Sequence, residues 1–335
     1  MITGRWRELR LLEALSACEG KKLDVVTFGE TMALFSSTDT RGIEYAQTMM
    51  KSFGGAESNV AIGLARLGHL VGWFSRLGKD PLGRYILKGI RGEGVDISRV
   101  ELADHEATGV MMRELVAGQS SVYYYRKHAA VSRLAPEHLD PAYIENAAML
   151  HVTGITCALS SSCADAVEAA VRIAKAAEVK VSFDPNLRLK LWTIEEARAR
   201  LLPLADEVDY FLPGLDELKL LYGTNDQQQI FNRLGQLSAV SVVKGGLGMN
   251  YIVQGTRVEE VPYQPVAHVV DTVGAGDAFC AGLLSGLVRG LSVQEAVQLA
   301  NVTGAMAVQA FGDWEALPTR EQVEAKQSQA VHIER

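Results

Sequence analysis

The stretch DTVGAGDAF, residues 271–279, places a run of small residues directly before a carboxylate. A β-branched pair precedes it, and the segment CAGLLSGLVRGL (280–291) after it has helical spacing. The small residues are therefore predicted to form a helix start, where unpaired backbone N–H groups and the positive end of the helix dipole attract phosphate. They are Gly274, Ala275 and Gly276. The carboxylate of Asp277 would repel that anion, so it needs a function of its own.

Phosphoryl transfer gives Asp277 such a function. A hydroxyl group that attacks phosphorus must lose its proton, and a neighbouring aspartate can accept it as general base. The backbone of 274–276 would meanwhile stabilise charge on the transferred group. The alternative is an ordinary glycine turn in which Asp277 only favours the first helical turn. The complete order of strand, GxGD and helix favours a site for phosphoryl transfer to a hydroxyl group.

Composition limits the possible partners. The chain has 335 residues, of which 48% are hydrophobic and 22% charged, enough to bury a full core in one large α/β domain or two smaller ones. A formal net charge of −7 argues against nucleic acid or an anionic membrane and favours a small molecule. No apolar run reaches the ~18 residues of a membrane span, and the cysteines show no CxxC pair. We expect a soluble, cytoplasmic protein with reduced thiols and no structural zinc.

Strand and helix patterns alternate along most of the chain. A strand is predicted at 24–30 and a helix from residue 54; from about 147, predicted strands alternate with helices, including long helices from Ala275 and Ser292. This order predicts a three-layer α/β/α domain with a mostly parallel central sheet. Two segments that differ from it, about 33–50 and 104–127, are predicted to form a small β-sheet lid, the second as a hairpin. The boundaries are a loosely ordered N-terminal extension at 1–22, the domain at 23–325 and a C-terminal tail at 326–335.

Motifs from both ends of the chain carry a family resemblance. GGAESNVAIGLARLG (54–68) and GAGD (274–277) together resemble the signatures of the PfkB, or ribokinase-like, sugar kinases, over roughly residues 24–320. The resemblance implies a ribokinase-like fold, ATP as phosphate donor and Mg²⁺ as cofactor. It also implies that Asp277 is the base and that the backbone of 274–276 is the anion hole. Asp271 matches a position that helps to hold a monovalent cation in several relatives, which suggests K⁺.

Three further stretches resemble the 2-keto-3-deoxygluconate kinases: YYYRK (123–127), DPNLRLKLW (184–192) and GDWEALPTREQVE (312–324). The resemblance implies 2-keto-3-deoxygluconate as substrate, phosphorylated at its 6-hydroxyl. The implied sugar contacts are Gly55, Asn59, Tyr124, Tyr125, Arg126, Arg188 and Asp313. An arginine fork suits the carboxylate of a sugar acid, although Arg126 could be a solvated charge and Arg188 an ion pair or a nucleotide contact. Because side chains alternate across a strand, at most one of the two tyrosines should face the site.

The segment VVKGGLGMNYI (242–252) resembles the nucleotide-binding strand-turn-strand of this family, although a tight hairpin explains its glycines equally well. The implied nucleotide contacts are Lys244, Gly246, Gly248, Asn186 and Asn301. Two positions depart from the pattern. Gly214 replaces the asparagine of a PNxxE segment that organises hydrated Mg²⁺, while Glu217 is retained and implies an indirect metal contact. Met111 stands where a tyrosine is common in the subgroup.

Several alternatives remain open at this point. Kinases of 5-dehydro-2-deoxygluconate, fructose or ribose are the nearest, and a noncatalytic sugar sensor is more distant. A nicotinamide-dependent dehydrogenase is disfavoured because the glycines at 245–248 lack GxGxxG spacing, and GxxxxGK[ST] is absent. The exposed edges of the lid strands predict a homo-oligomer, a dimer or larger.

Overall fold

The computed structural model describes residues 23–117, 119–246 and 248–328. The strands in these ranges are β1 (Leu23–Phe28), β2 (Met32–Ser37), β3 (Met49–Gly54), β4 (Val71–Phe74), β5 (Arg76–Gly78), β6 (Glu101–Ala103), β7 (Val110–Val116), β8 (Gln119–Tyr125), β9 (Ala147–Thr153), β10 (Lys180–Asp184), β11 (Tyr210–Phe211), β12 (Val240–Lys244), β13 (Met249–Gln254) and β14 (Arg257–Pro262). The helices are α1 (Ala56–Arg66), α2 (Pro81–Gly92), α3 (Pro141–Glu145), α4 (Gly154–Leu159), α5 (Ser161–Ala176), α6 (Ile194–Glu207), α7 (Leu215–Tyr222), α8 (Gln227–Leu234), α9 (Ala275–Val288), α10 (Val293–Ala307) and α11 (Arg320–Ser328). Short 3₁₀ helices lie at Ala130–Arg133, Pro136–His138 and Trp314–Ala316.

An eight-stranded sheet in the order β14-β13-β12-β11-β10-β9-β1-β4 forms the centre of the protein. Six of these strands, β12, β11, β10, β9, β1 and β4, pair in parallel. At the other edge of the sheet, β13 pairs antiparallel with both β12 and β14. Parallel strands direct all their carboxyl ends to one side of the sheet, where open α/β sheets bind ligands. Glu30, Asp184 and Lys244 lie at these ends.

Helices cover both faces of this sheet. Apolar side chains of α3 to α8 pack in one buried cluster, and those of α1, α2, α9 and α10 pack in a second cluster on the opposite face. Both clusters contain side chains of the central strands, such as Phe183 in the first and Trp73 in the second. The three-layer arrangement with a mostly parallel sheet that the sequence predicted is therefore confirmed.

A separate four-stranded sheet in the order β3-β2-β7-β8 forms the lid. β2 pairs in parallel with β7, and β7 pairs antiparallel with β8 in the predicted hairpin. The lid extends beyond its predicted first segment, because β3 continues to Gly54 and leads directly into α1. A small apolar cluster of Met32, Leu34 and Met111 lies on its inner face.

Some elements differ from their sequence-based bounds. The strand expected over VDYFLP is only two residues long. The segment between this strand and β12, expected to form one helix, forms two, α7 and α8. Gly223 separates them in the left-handed conformation with φ of 67°, and Asp226 caps the second helix. The expected extension at 1–22 lies outside the described residues, and α11 continues through Ser328 into the expected tail. Among the helices that the structure describes, none has the length and apolar character to cross a membrane.

Candidate active site

A cleft of about 810 Å³ lies between the lid and the carboxyl ends of the central strands. Met32, Leu34 and Met111 line it from the lid. It also brings together most of the site residues predicted from the sequence: Gly55, Asn59, Tyr124, Arg126, Asn186, Arg188, Glu217, Lys244, Gly274, Gly276, Asp277 and Asp313. Residues separated by more than 200 positions in the chain thus share one cavity.

The small residues at the start of α9 form the predicted cradle. Gly274 is the N-cap with φ of 74°, a left-handed conformation that favours glycine. The N–H of Ala275 makes only a long bond of 3.4 Å to the carbonyl of Thr272, and the first short intrahelical bond is that of Ala278, 2.8 Å from the carbonyl of Gly274. A Cβ built on Gly276 would meet no described atom within 4 Å. The helix start can therefore receive an anion against its backbone.

Asn59 joins two carboxylates at the bottom of the cleft. Its side-chain Nδ2 donates to Oδ2 of Asp277 and to Oδ1 of Asp313, each at 2.7 Å. Burial raises the pKa of Asp277 to about 7, and burial together with the charge of Asp277 raises the pKa of Asp313 well above its usual range. Asp277 therefore titrates near neutral pH, where a general base is most effective.

The double glycine before α1 is required by close packing. A Cβ on Gly55 would overlap the carbonyl oxygen of Glu30, and a Cβ on Gly54 would overlap Oδ2 of Asp313. These contacts allow α1 to begin against β1 and place Asn59, on its first turn, within reach of both carboxylates. Gly55 also has a backbone N–H that faces Oδ1 of Asn59 at 3.5 Å.

The two predicted arginines differ in their environments. Arg126 forms an ion pair with the buried Glu30, and its guanidinium lies 4.7 Å from the ring centre of Tyr124. Arg188 is exposed at the cleft, donates to the carbonyl of Leu187, and has no carboxylate within ion-pair distance among the described residues. Tyr124 lines the cleft, whereas Tyr125 is 64% exposed and does not line it. This agrees with the expected alternation along β8.

A buried ion pair lies behind the cradle. Nζ of Lys244 donates to Oδ2 of Asp184 at 2.7 Å, and Sγ of Cys280 lies 3.4 Å from the same oxygen. Burial opposes ionisation of Asp184, but the charge of Lys244 overcomes it and lowers the pKa of Asp184. The backbone N–H of Asn186, which has φ of 39°, donates to Oδ1 of Asp184. The pair thus fixes a positive charge beside the start of α9.

Both carboxylate oxygens of Glu217 are used by the backbone. Oε1 accepts the N–H of Leu187 and Oε2 accepts the N–H of Gly214, each at 2.6 Å. Burial and the nearby charge of Asp184 raise the pKa of Glu217. Glu217 therefore joins the loop that contains Arg188 to the start of α7.

A second recess of about 330 Å³ adjoins the cleft. It shares Lys244 and Gly276 with the cleft, and Ala275 and the apolar side chain of Phe279 also line it. Asn301, predicted from resemblance alone, lines it too. Asn301 is buried, accepts from Nδ2 of Asn250 at 2.6 Å and donates to the carbonyl of Pro262 at 2.8 Å.

Gly246 and Gly248 shape the turn between β12 and β13, with φ of 69° and 81°. The N–H of Gly246 donates to the hydroxyl of Tyr263, and the carbonyl of Gly248 accepts the backbone N–H of Tyr263. Neither glycine is among the described residues that line the cleft or the recess. Both glycines shape this turn, and Tyr263, which contacts both of them, is among the residues that line the recess; a contact of the two glycines with the nucleotide stays a prediction.

Asp271 is held by an arginine of the lid. Nη1 and Nη2 of Arg113 donate to Oδ2 and Oδ1 of Asp271 at 2.7 and 3.0 Å. Burial opposes ionisation of Asp271, but the guanidinium of Arg113 lowers the pKa of the carboxyl below its ordinary value. Both carboxylate oxygens predicted to help hold a monovalent cation therefore already face a positive group.

Sequence reasoning missed the partners in these pairs: Glu30, Arg113 and Asp184. Glu30 and Asp184 had a weak signal, because they lie at the carboxyl ends of apolar strand segments, where open α/β sheets bind ligands. Arg113 lies in the lid strand β7, where nothing in the local pattern pointed to a residue 158 positions away. Glu57 was also missed; it is fully buried, and its Oε1 accepts from the hydroxyls of Thr153 and Thr156 at 2.6 Å.

The chain is similar to known carbohydrate kinases over most of its length. The pfkB family carbohydrate kinase model matches residues 22–320. The chain is 42% identical over 306 residues to 2-dehydro-3-deoxygluconokinase of Bacillus subtilis (strain 168), which covers 90% of this chain and 94% of that protein. It resembles the crystal structure of a PfkB protein from Polaromonas sp. JS666 with a TM-score of 0.83 and 39% identity, covering 90% of this chain and 99% of the other. A candidate ribokinase II from E. coli, solved in complex with ATP and Mg²⁺, has a TM-score of 0.83 and 26% identity, covering 92% and 99% of the two chains. The chain belongs to the pfkB family of carbohydrate kinases and is itself a carbohydrate kinase.

Proposed function

We propose that the protein transfers the γ-phosphoryl group of ATP to the 6-hydroxyl of 2-keto-3-deoxygluconate, the substrate called 2-dehydro-3-deoxygluconate in the name of its Bacillus relative. The observation that carries the proposal is the position of Asp277. Asp277 lines the cleft in the first turn of α9, its neighbour Gly276 lines both the cleft and the more apolar recess, and burial raises the pKa of Asp277 to about 7. A base in one cavity, next to a residue shared with a second cavity, suits transfer between two bound molecules.

We assign the nucleotide to the recess and the sugar to the cleft. The apolar wall at Phe279 suits a purine ring, and Asn301 offers a polar edge beside it. Because the recess and the cleft share Lys244 and Gly276, the phosphates of ATP would cross the start of α9 between them. There the free N–H groups and the ammonium of Lys244 would stabilise the negative charge.

For the sugar acid, we assign the carboxylate to the exposed guanidinium of Arg188. Arg126 is neutralised by Glu30, so it serves better as a donor to a hydroxyl or keto oxygen of the sugar. Tyr124 lies beside Arg126 and lines the same wall of the cleft. The primary hydroxyl would then lie near Asp277 and Asp313, and Asn59 and Gly55 would complete its surroundings.

In the reaction, the 6-hydroxyl oxygen forms a bond to the γ-phosphorus while the bond from that phosphorus to the β-phosphate oxygen breaks and ADP leaves. Asp277 accepts the hydroxyl proton on a carboxylate oxygen. The N–H groups at 274–276 stabilise the charge on the transferred group. Asn59 holds the carboxylate of Asp277 in place through its 2.7 Å hydrogen bond.

Magnesium fits this proposal only as a partner of the nucleotide. Within the described ranges, no group of three or more His, Cys, Asp or Glu side chains is arranged to hold a metal. Glu217 and Asp184 would contact Mg²⁺ through water, because backbone N–H groups or Lys244 already occupy their oxygens. Mg²⁺ retains water and binds phosphate oxygens readily, and when bound it would neutralise phosphate charge.

A substrate panel tests the proposal. We would measure ADP release with Mg-ATP and 2-keto-3-deoxygluconate, 5-dehydro-2-deoxygluconate, fructose or ribose, and locate the phosphate by NMR. We expect the highest kcat/KM for 2-keto-3-deoxygluconate, with the phosphate on O6. Transfer to fructose but not to the keto-deoxy acid would refute the substrate, and sugar binding without ATP turnover would indicate a sensor.

The outer face of the lid supports a further part of the proposal, assembly into a dimer or larger homo-oligomer. Val116, Tyr123 and Tyr125 are exposed on this face, which is the side of β7 and β8 opposite to Met111 and Tyr124. A second copy of the chain would remove these from water. Light scattering over a range of protein concentrations would measure the mass of the assembly.

A cytoplasmic setting is supported by the use of ATP and by buried free thiols, those of Cys157, Cys163 and Cys280.

A further inference from the structure

A buried ion pair connects the lid to the segment that precedes the anion hole. Arg113 lies on β7 of the lid, and Asp271 lies three residues before the N-cap of α9, Gly274. Their side chains are only 12% and 5% exposed, and two parallel hydrogen bonds of 2.7 and 3.0 Å join them. Bidentate pairs of this kind are among the strongest and most directional contacts between side chains.

Further contacts fix both partners. Nε of Arg113 donates to Oγ of Ser120 on β8, so all three guanidinium nitrogens have acceptors. Oδ1 of Asp271 also accepts the backbone N–H of Val273 at 3.2 Å, and the backbone N–H of Asp271 reaches the carbonyl of Val308. The guanidinium therefore holds the carboxylate that itself shapes the turn 271–274.

We propose that the guanidinium of Arg113 acts as the built-in cation of this turn, so that the kinase works without an added monovalent cation. A K⁺ ion at the Asp271 carboxylate would compete with the guanidinium for the same two oxygens and would be repelled by its charge. Arg113 is then a positioning residue: it aligns the cradle at 274–276 when the lid covers the cleft. The inference rests on the carbohydrate kinase activity and not on the identity of the sugar.

A purely structural tether would behave differently from a positioning residue. If Arg113 only held the lid over the sugar, its loss would raise the KM for the sugar and leave kcat unchanged. If it aligns the anion hole, its loss lowers kcat, because the N–H groups no longer point at the transferred group. A displacement of about 1 Å in such a site costs on the order of 10²-fold in rate. The division between kcat and KM therefore separates the two roles.

The experiment compares the wild type with Arg113→Met, which keeps a long side chain without charge. Initial rates would be measured at fixed ionic strength in tetramethylammonium, sodium and potassium chloride, using the panel sugar with the highest wild-type turnover. Arg99→Met is the matched control, because Arg99 lies on the surface and pairs with Asp140. If the substrate assignment is wrong, the substrate panel described above will show it, whereas the result of this cation series will not change.

We expect wild-type rates to agree within about twofold in the three salts, and Arg113→Met to lose kcat by on the order of 10²-fold and to be stimulated at least threefold by K⁺. Arg113→Lys keeps the charge without the bidentate geometry, so its kcat should lie between those of the wild type and Arg113→Met, and K⁺ should not stimulate it. This variant replaces Arg113→Met in the test if the Met variant does not fold. Several-fold activation of the wild type by K⁺ would overturn the inference. So would an Arg113→Met variant with the kcat of the control, or one that K⁺ does not stimulate.

Discussion

Replacing Asp313 by Asn should leave the acidic limb of the pH–rate profile in place, because Asp313 still carries its proton when Asp277 ionises. Asp313 and Asp277 accept hydrogen bonds from the same nitrogen of Asn59, each at 2.7 Å, so the two accepting oxygens lie within about 5.4 Å of each other. Two carboxylates this close in a buried site do not both ionise easily, and the pair titrates as a unit. Asn keeps the shape of the side chain and an oxygen for Asn59, but cannot ionise.

This separation sets the size of the shift in the pKa of Asp277 that an ionised Asp313 would cause. At an effective dielectric constant of about 20, two unit charges about 5 Å apart repel by about 3 kcal/mol, which corresponds to about two pKa units. In the wild type, burial raises the pKa of Asp277 to about 7, so kcat/KM should fall about tenfold per pH unit below this value. Burial and the charge of Asp277 raise the pKa of Asp313 well above its usual range, so Asp313 is neutral in this window and we expect the midpoint to move by less than about 0.3 pH units.

The assay is kcat/KM for the sugar at saturating Mg-ATP, measured from pH 5 to 9. The absolute height of the profile will fall, because Asp313 is also a proposed sugar contact, and the midpoint of the acidic limb is therefore the quantity to compare. Asp165→Asn, a change on the exposed face of α5, is the control and should leave the midpoint unchanged. A midpoint that moves down by about one pH unit or more would show that Asp313 ionises before Asp277 and would refute this order of ionisation.

The remaining predictions concern stability and substrate recognition. Burial raises the pKa of Glu57 to about 7 from 4.5, so the folded protein holds a proton that the unfolded chain loses, and stability should fall by about 3 kcal/mol as pH rises through this window. In urea unfolding at pH 5 and pH 8, Glu57→Gln should show a smaller decline in stability than the wild type by about this amount, because other buried carboxyls contribute the rest; an unchanged decline would contradict the assignment. Arg188→Ala should raise the KM for the sugar acid at least tenfold, but not that for a neutral sugar. The control Arg172→Ala, on the exposed face of α5, should change neither, and equal effects of Arg188→Ala on both sugars would contradict the assignment of the carboxylate.

Local patterns predicted the parts of the molecule that depend on neighbouring residues. The cradle at 274–276 follows from small residues between a strand and a helix, and the hairpin of β7 and β8 follows from two β-rich runs around a short turn. The layered fold follows from the alternation of strands and helices. In each case the physical cause lies within about 20 residues of the chain.

Contacts between distant segments could not be predicted in this way. The pairing of Arg126 with Glu30 depends on how the lid lies over β1, and that of Arg113 with Asp271 depends on how it meets the start of α9. A single sequence assigns both arginines to a substrate or to solvent with equal ease. For this reason the sequence could predict neither the positive partner of Asp271 nor the carboxylate that pairs with Arg126.

The most direct test of the proposed mechanism is the turnover of Asp277→Asn. Asn has nearly the shape of Asp and keeps an oxygen for Asn59, but it cannot accept the hydroxyl proton. Calorimetry should show sugar and ATP binding within about threefold of the wild type, while kcat falls by at least ~10²-fold, the scale of general base catalysis. A variant that binds both substrates and retains near-normal kcat would contradict the assignment of Asp277 as the base.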